Sequence, residues 1–392
     1  MTRASAPTEG STLVTALGDE PLAPLVLSRH LDIQRVVCVG GRPIVAWRVE
    51  PLLAMLRREQ CDADWLPLDS DDVPDGVAAL ETVLPTDGHI VFDLTNAHGI
   101  VGFALYDVAH RRERQAPDRA RLIRIDWSDR VIRPLAPDDS SPQPVEASLQ
   151  IGEYLELYGK RLQGVERARG SHGRFGPAAR RIAHALERAE PVLEAVHRGA
   201  WDRPLRIRDG RSALRMAGEL ADYGLLHVEG RHVSATSLQA FEYLHGRWLE
   251  EYLFEIADTS GQFDDAASGV RFVWSPNGGP TEAVANEIDF VGTAGGRATV
   301  ASCKTGFRDV NAPLYELLTV AERAAGRSVV TVFATSEVLD RHARHRASAL
   351  GVRVIDRQRL QDESLVLRIL LGDGAIPAPV ESRRPDRRER RR

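Results

Sequence analysis

Lysine is almost missing from these 392 residues: of 51 basic side chains only Lys160 and Lys304 are lysine, and the other 49 are arginine. A retained ammonium is therefore informative. A planar guanidinium fork cannot replace a compact point charge that must approach a phosphate or a metal-bound water. Cysteine is scarce too: Cys38, Cys61 and Cys303 are scattered, without the paired spacing of a zinc site or a disulfide framework. No apolar run is long enough to span a membrane and no signal peptide is evident, which predicts a cytoplasmic protein without membrane contact. No Gly-x-Gly-x-x-Gly marks a dinucleotide cofactor. Net charge is -5, so contact with nucleic acid has to come from local clusters such as Arg161, Arg167, Arg169, Arg174, Arg180 and Arg181.

The length suggests two or three domains. In the first, strand signals at Leu13 onward, Arg35–Val39, Trp65–Leu68 and Ile90–Leu94 alternate with helix signals at Val49–Glu59, Asp75–Val83 and Ile100–Ala109. That order predicts an α/β fold, a Rossmann-like parallel sheet with crossover helices over residues 1–135. Ligands of such sheets bind beyond the strand carboxyl ends. Two loops qualify: Gly18-Asp19-Glu20, and Thr95-Asn96-Ala97-His98-Gly99, which precedes a helix whose amino terminus suits a phosphate.

Pro134–Pro144 reads as a turn-rich connector. A helical, winged-helix-like linker is expected over 145–238: helices at Ile151–Gly164, Pro177–Val196 and Ser212–Tyr223, then a hairpin from Leu225 to Val233. Such a unit serves either as a spacer or as a DNA-binding element of a non-catalytic, ligand-controlled regulator. A third domain covers 239–376, and the Arg-rich stretch 377–392 is expected to be disordered.

The chemistry concentrates in the third domain. Ala283–Val291 alternates so that Glu287 and Asp289 share a face. A Gly-rich turn, Gly292–Gly296, leads into a second strand, Arg297–Cys303, which ends at Lys304. Carboxylates beside an ammonium suit phosphodiester hydrolysis, in which acids hold Mg²⁺ or Mn²⁺ and lysine offsets developing charge. At these residues the chain resembles the PD-(D/E)xK, or restriction-endonuclease-like, superfamily. Asp289 stands for the first acid and Ser302-Cys303-Lys304 for acid-x-Lys, with Ser302 replacing the usual carboxylate. Some relatives with Ser-x-Lys carry the glutamate on the next helix, and Glu316 is placed for that role. Pro313 opens its helix, Leu314, Leu317, Leu318 and Ala321 line one face, and Gly326 ends it. The resemblance implies catalytic roles for Asp289, Lys304, Glu287, Ser302 and Glu316, with Asp289 and Glu287 or Glu316 as metal ligands.

A second segment, Tyr243–Leu253, contains Gly246-Arg247-Trp248-Leu249-Glu250 and resembles the Gly-x-Trp-Leu-Glu helix of CRISPR-associated CARF-nuclease effectors. Glu250 is the acid aligned with that motif. The family implies an N-terminal CARF domain sensing a cyclic oligoadenylate such as cyclic tetra-adenylate, a C-terminal nuclease acting on DNA or RNA, and a homodimer. The CARF signature ends in Thr-Gly-Gly-Thr-Lys, whereas this chain has Thr95-Asn96-Ala97-His98-Gly99. Without that lysine, His98 or backbone amides would have to meet the phosphate.

Overall fold

The computed structural model describes residues 10–18, 20–41, 46–68, 72–135, 141–171, 173–199, 203–208, 210–274, 285–306 and 311–373. The Arg-rich stretch 377–392 and Asp19 lie outside them. The chain divides into two compact units, one of Met1–Ser171 with Ala257–Val300 and Thr319–Val329, the other of His172–Ile256 with Ala301–Leu318 and Val330–Arg392.

In the first unit, β1 (Thr12–Ala16), α1 (Leu22–Leu31), β2 (Arg35–Gly41), α2 (Ala46–Arg58), β3 (Asp62–Leu68), α3 (Val73–Val83), β4 (Ile90–Asp93), α4 (Gly99–Gln115) and β5 (Ala120–Asp126) alternate as expected. β6 (Val131–Pro134) and β7 (Gln143–Pro144) follow, and the sheet order is β3-β2-β1-β4-β5-β6-β7. β3 to β5 run parallel, and β6 and β7 are antiparallel additions. Every residue of β1 is buried, as a central parallel strand covered on both faces requires. Val14, Val39, Phe92, Ala104, Leu105 and Val108 share one core beneath α3 and α4. The connector is shorter than its sequence suggests, because β7 pairs with β6 and so belongs to the sheet.

The expected helix Ile151–Gly164 is also corrected. Only Ile151–Leu157 is helical (α5), Gly159 turns the chain at φ 68°, and β8 (Lys160–Gly164) pairs with a strand of the second sheet, as does β9 (Arg167–Ala168). The helix-terminating conformation there is one glycine adopts without steric cost.

In the second unit, the single helix expected at Pro177–Val196 is two, α6 (Gly176–His184) and α7 (Leu186–His197), broken at Ala185. β10 (Leu205–Arg206), α8 (Arg211–Asp222), β11 (Leu226–Glu229) and β12 (His232–Ala235) give the winged-helix-like order, with strands arranged β10-β12-β11. Gly224 and Gly230, at φ 75° and 61°, make the two turns. α9 (Leu238–Glu242) meets α10 (Trp248–Ser260) at a kink over Tyr243–Arg247, so the helix read from Tyr243 begins in earnest at Trp248. One face of α10 is core: Trp248, Leu249, Tyr252 and Leu253 are fully buried.

The remaining elements are β13 (Asp265–Trp274), β14 (Ala285–Ala294), β15 (Arg297–Lys304), α11 (Asn311–Ala325), β16 (Val330–Thr335), α12 (Arg341–Ala349), β17 (Arg353–Ile355) and α13 (Glu363–Leu371). The second sheet is ordered β17-β16-β15-β14-β13-β8. Gly292, Thr293 and Ala294 continue β14, which leaves Gly295-Gly296 as the turn. Both have positive φ, 54° and 74°, as a tight two-residue hairpin demands.

Candidate ligand seat and candidate catalytic strands

The strand order of the first sheet reverses between β1 and β4. A crevice at such a switch point is where an open α/β sheet receives a ligand, and both loops singled out in the sequence flank it. Asp93, wholly buried at the end of β4, organises the second loop. It accepts hydrogen bonds from the Thr15 hydroxyl at 2.7 Å, the Thr95 amide at 2.9 Å and the Thr95 hydroxyl. Burial pushes the Asp93 carboxyl up, and these bonds from Thr95 and Thr15 oppose the shift. The Thr95 oxygen also accepts from the Ile125 amide at 2.8 Å. Thr95 therefore positions the loop and has little capacity left for a ligand.

Asn96 ties the two loops together, donating its amide to the Glu20 carbonyl at 2.8 Å. A Cβ on Gly18 would lie 3.4 Å from Asn96, so the loops sit in close contact. Ala97 is half-buried, while His98 and Gly99 are exposed at the mouth of α4. His98 caps α4 without a side-chain hydrogen bond. The amides of the first turn thus depend on another acceptor, and with the helix dipole they suit an anion.

Glu20 is committed elsewhere. Its carboxylate accepts hydrogen bonds from the Tyr158 hydroxyl at 2.7 Å, the Ser328 hydroxyl at 3.1 Å and the Arg327 amide, all within the first unit. The expectation that it touches ligand is replaced by a structural role, since its oxygens already hold the turn after α11. Gly326 makes this packing possible: at φ 77°, a Cβ there would lie 2.6 Å from Glu20 Oε2 and closer still to the Tyr158 hydroxyl. Gly326→Ala is expected to cost about 2 kcal/mol or more, from backbone strain and displacement of this cluster. Thermal unfolding should show a drop in Tm of several degrees; an unchanged Tm would mean the turn relaxes freely.

The tip of the β14–β15 hairpin also packs within the first unit. The Gly295 amide donates to Asp264 Oδ2 at 2.8 Å, and a Cβ on Gly296 would meet Val26 of α1 at 2.9 Å. At the other end of β14, Glu287 is exposed and Asp289 half-buried, with buried Ile288 and Phe290 alternating on the opposite face. Ser302 and Lys304 are half-buried near the end of β15, the next strand in the sheet. Glu316 is exposed on α11 and Glu250 half-buried on α10. The neighbouring Glu251 is the acid that α10 buries, at 8% exposure. Alignment on the motif alone misses it; its place one step further round the stripe of Trp248, Leu249 and Tyr252 could have indicated burial.

Within the second unit two of the sequence motifs meet. The Thr305 hydroxyl, next to Lys304, donates to the His245 carbonyl at 3.1 Å, and a Cβ on Gly246 would stand 3.3 Å from the same oxygen. Gly246 thus lets the Gly-x-Trp-Leu-Glu segment approach the Cys303-Lys304-Thr305-Gly306 segment. The chain's other lysine is engaged differently, its Lys160 ammonium lying 4.5 Å from the centre of the Trp274 ring in a cation–π contact. Among the described residues, no three His, Cys, Asp or Glu side chains gather into a group able to hold a metal ion. Mg²⁺ asks for less, since it is commonly held through one or two carboxylates, waters and substrate phosphates. Asp289 and Glu287, two apart on β14, place two carboxylates on one face of the strand.

The structure thus defines an α/β protein with a switch-point crevice in one sheet and an acid-Lys hairpin in another. Its fold is shared with several solved structures. The protein VC1899 of Vibrio cholerae matches with TM-score 0.74 at 16% identity, over 93% of this chain and 99% of that one. Can2 of Sulfobacillus thermosulfidooxidans, solved in complex with cyclic tetra-adenylate, matches with TM-score 0.70 at 18% identity, over 94% of this chain and 100% of that one. A type III CRISPR defence DNA nuclease activated by cyclic oligoadenylate matches with TM-score 0.51 at 15% identity; the match covers 85% of this chain and 46% of the nuclease. No protein-family model and no curated protein matches by sequence. The resemblance to CARF-nuclease effectors read from Tyr243–Leu253 is borne out at the level of the fold. Among the described residues no helix is long and apolar enough to cross a membrane.

Proposed function

We propose that this chain is a metal-dependent nuclease switched on by a cyclic oligoadenylate, acting as a homodimer in type III CRISPR defence. The observation that carries the reading is the β14–β15 hairpin, which sets Asp289 and Lys304 on neighbouring strands of one sheet. Its fold neighbours include a protein bound to cyclic tetra-adenylate and a nuclease activated by cyclic oligoadenylate, and this supports the same pairing of sensor and effector here. In the sensor, His98 and the first-turn amides of α4 receive a ligand phosphate, while Thr95 and Asn96 hold the loop in shape. In the effector, Asp289 and Glu287 hold Mg²⁺ or Mn²⁺, with Glu316, Glu250 or Glu251 completing the acid set. A bound ion of this kind activates water and takes up charge at the scissile phosphate. Lys304 places its ammonium against the phosphoryl oxygens, and Ser302 contributes a hydroxyl where the superfamily pattern has an acid.

The test is incubation of purified protein with plasmid and with single-stranded RNA, in Mn²⁺, with and without cyclic tetra- and hexa-adenylate. Ligand-stimulated cleavage of either substrate is expected. Ligand binding without cleavage in any metal would instead favour the non-catalytic regulator built on α8, β11 and β12.

The substitution at Ser302 yields a separate expectation. If Glu316 supplies the missing carboxylate, Glu316→Gln lowers cleavage as far as loss of Asp289, because a Mg²⁺ site rests mainly on charge. Ser302→Glu then restores part of the activity in that background. A silent Glu316→Gln would move the role to Glu287, Glu250 or Glu251.

A further inference from the structure

The second unit contains an open cleft of about 580 Å³ lined by Ala195, Arg198, Leu205, Arg206, Arg208 and Arg231. Four of its six lining residues are arginine, in a chain whose net charge is -5. The local fold explains how they converge. β10 ends at Arg206, and Ile207 after it is fully buried while Arg206 and Arg208 on either side are exposed to solvent. The Ile207 amide donates to the Arg231 carbonyl at 2.9 Å, which fixes the turn between β11 and β12 beside that face. Arg198 follows the last residue of α7. It spends part of its hydrogen-bonding capacity on the Glu194 carbonyl at 3.1 Å and pairs with the Glu194 carboxylate at 3.4 Å.

The other three carry no such commitment. Arg206, Arg208 and Arg231 are exposed, and among the described residues none has an ion-pair partner. Glu229 at the end of β11 lies in register with His232, which in turn lies opposite Arg206, and Glu219 of α8 is held by Arg181 in two hydrogen bonds of 2.5 and 2.9 Å. Guanidinium groups gathered around one hollow repel one another, and a polyanion removes that cost while releasing its own counterions. A purely structural surface gains nothing from gathering them. The cleft is also too open for a small apolar ligand, which would need enclosing apolar walls.

The geometry points to this cleft as a seat for the phosphodiester backbone of a nucleic acid, separate from the acid-Lys hairpin and independent of base sequence. It rests on the nuclease reading for its biological sense, since it would anchor the strand to be cut, but its test does not depend on cleavage. The triple substitution Arg206→Gln, Arg208→Gln, Arg231→Gln removes charge at exposed positions and leaves the core intact. Binding of fluorescent 30-mers of duplex DNA, single-stranded DNA and single-stranded RNA is measured in EDTA across 50 to 200 mM NaCl, so nothing is cut.

For whichever nucleic acid the cleft holds, the slope of log K against log salt is expected to fall by about 2 to 3, roughly 0.7 to 0.9 for each phosphate no longer neutralised. Affinity at 100 mM salt is expected to fall at least ~10-fold. The corresponding triple lysine variant keeps charge and is expected to retain most of the slope. Binding of cyclic tetra-adenylate should be the same in all three proteins. The arms distinguish duplex from single-stranded backbone. Unchanged slopes for all three nucleic acids overturn the assignment, as does loss in the lysine variant equal to that in the glutamine variant. Failure of cleavage with wild-type binding intact would instead count against the hairpin.

Discussion

Asp289→Ala is expected to reduce ligand-stimulated cleavage to background while leaving the protein folded. The side chain is half-buried on β14, between Ile288 and Phe290, which carry the packing on the other face. Its removal therefore opens no core cavity, and stability should stay within about 0.5 kcal/mol of the parent, as for most surface substitutions. What is lost is charge. A carboxylate that holds Mg²⁺ has no substitute in an alanine, and among the described residues no ready-made cluster of three acids or metal-ligating groups stands in reserve. Plasmid and RNA cleavage assays in Mn²⁺, with a thermal melt as control, read both halves of the expectation. Cleavage at the parent rate would remove Asp289 from the chemistry altogether.

Lys304→Arg is the sharper experiment, because it preserves charge. At least roughly a 10²-fold loss in cleavage rate is expected, the scale on which a single misplaced electrostatic contact to a transition state is felt. The guanidinium is wider, more weakly hydrated and fork-shaped, so it cannot occupy the position of a compact ammonium. The comparison with Lys160 sharpens this expectation. Lys160 sits over Trp274 in a contact that arginine makes equally well. Lys160→Arg should accordingly leave the rate unchanged. Near-normal activity of Lys304→Arg would mean that lysine survived there by chance.

Much of the first sheet was legible because its signals are local. Buried runs such as Thr12–Ala16 and Arg35–Gly41 alternate with amphipathic helices, and strand order then follows from crossover rules. Elements that depend on distant partners were not. β8 reads as the continuation of a helix, yet Lys160–Gly164 is drawn into the second sheet by pairing with Phe272–Trp274. β7, two residues long, exists only because β6 offers it an edge. β13, which binds β14 on one side and β8 and β9 on the other, is bracketed by turn signals at Ser260-Gly261 and Ser275–Pro280, yet nothing in its own residues tells which strands it joins. The candidate catalytic residues were found by composition and motif, since a rare lysine is visible without any structure. The role of Glu20 was not, because three of its partners lie more than 130 residues away in sequence.

Within the first unit, the Gly295-Gly296 turn is seated against Val26 of α1, and the Glu20 carboxylate holds the turn after α11. Coupling through such joints is a free energy shared by both ends, and thermodynamics forbids it from running one way. In the proposed reading, a ligand that reshapes the strands must itself be held more tightly once metal and nucleic acid have settled on them. Substrate then acts as a brake on ligand escape. The switch would stay closed for as long as there is something left to cut, and loosen when there is not.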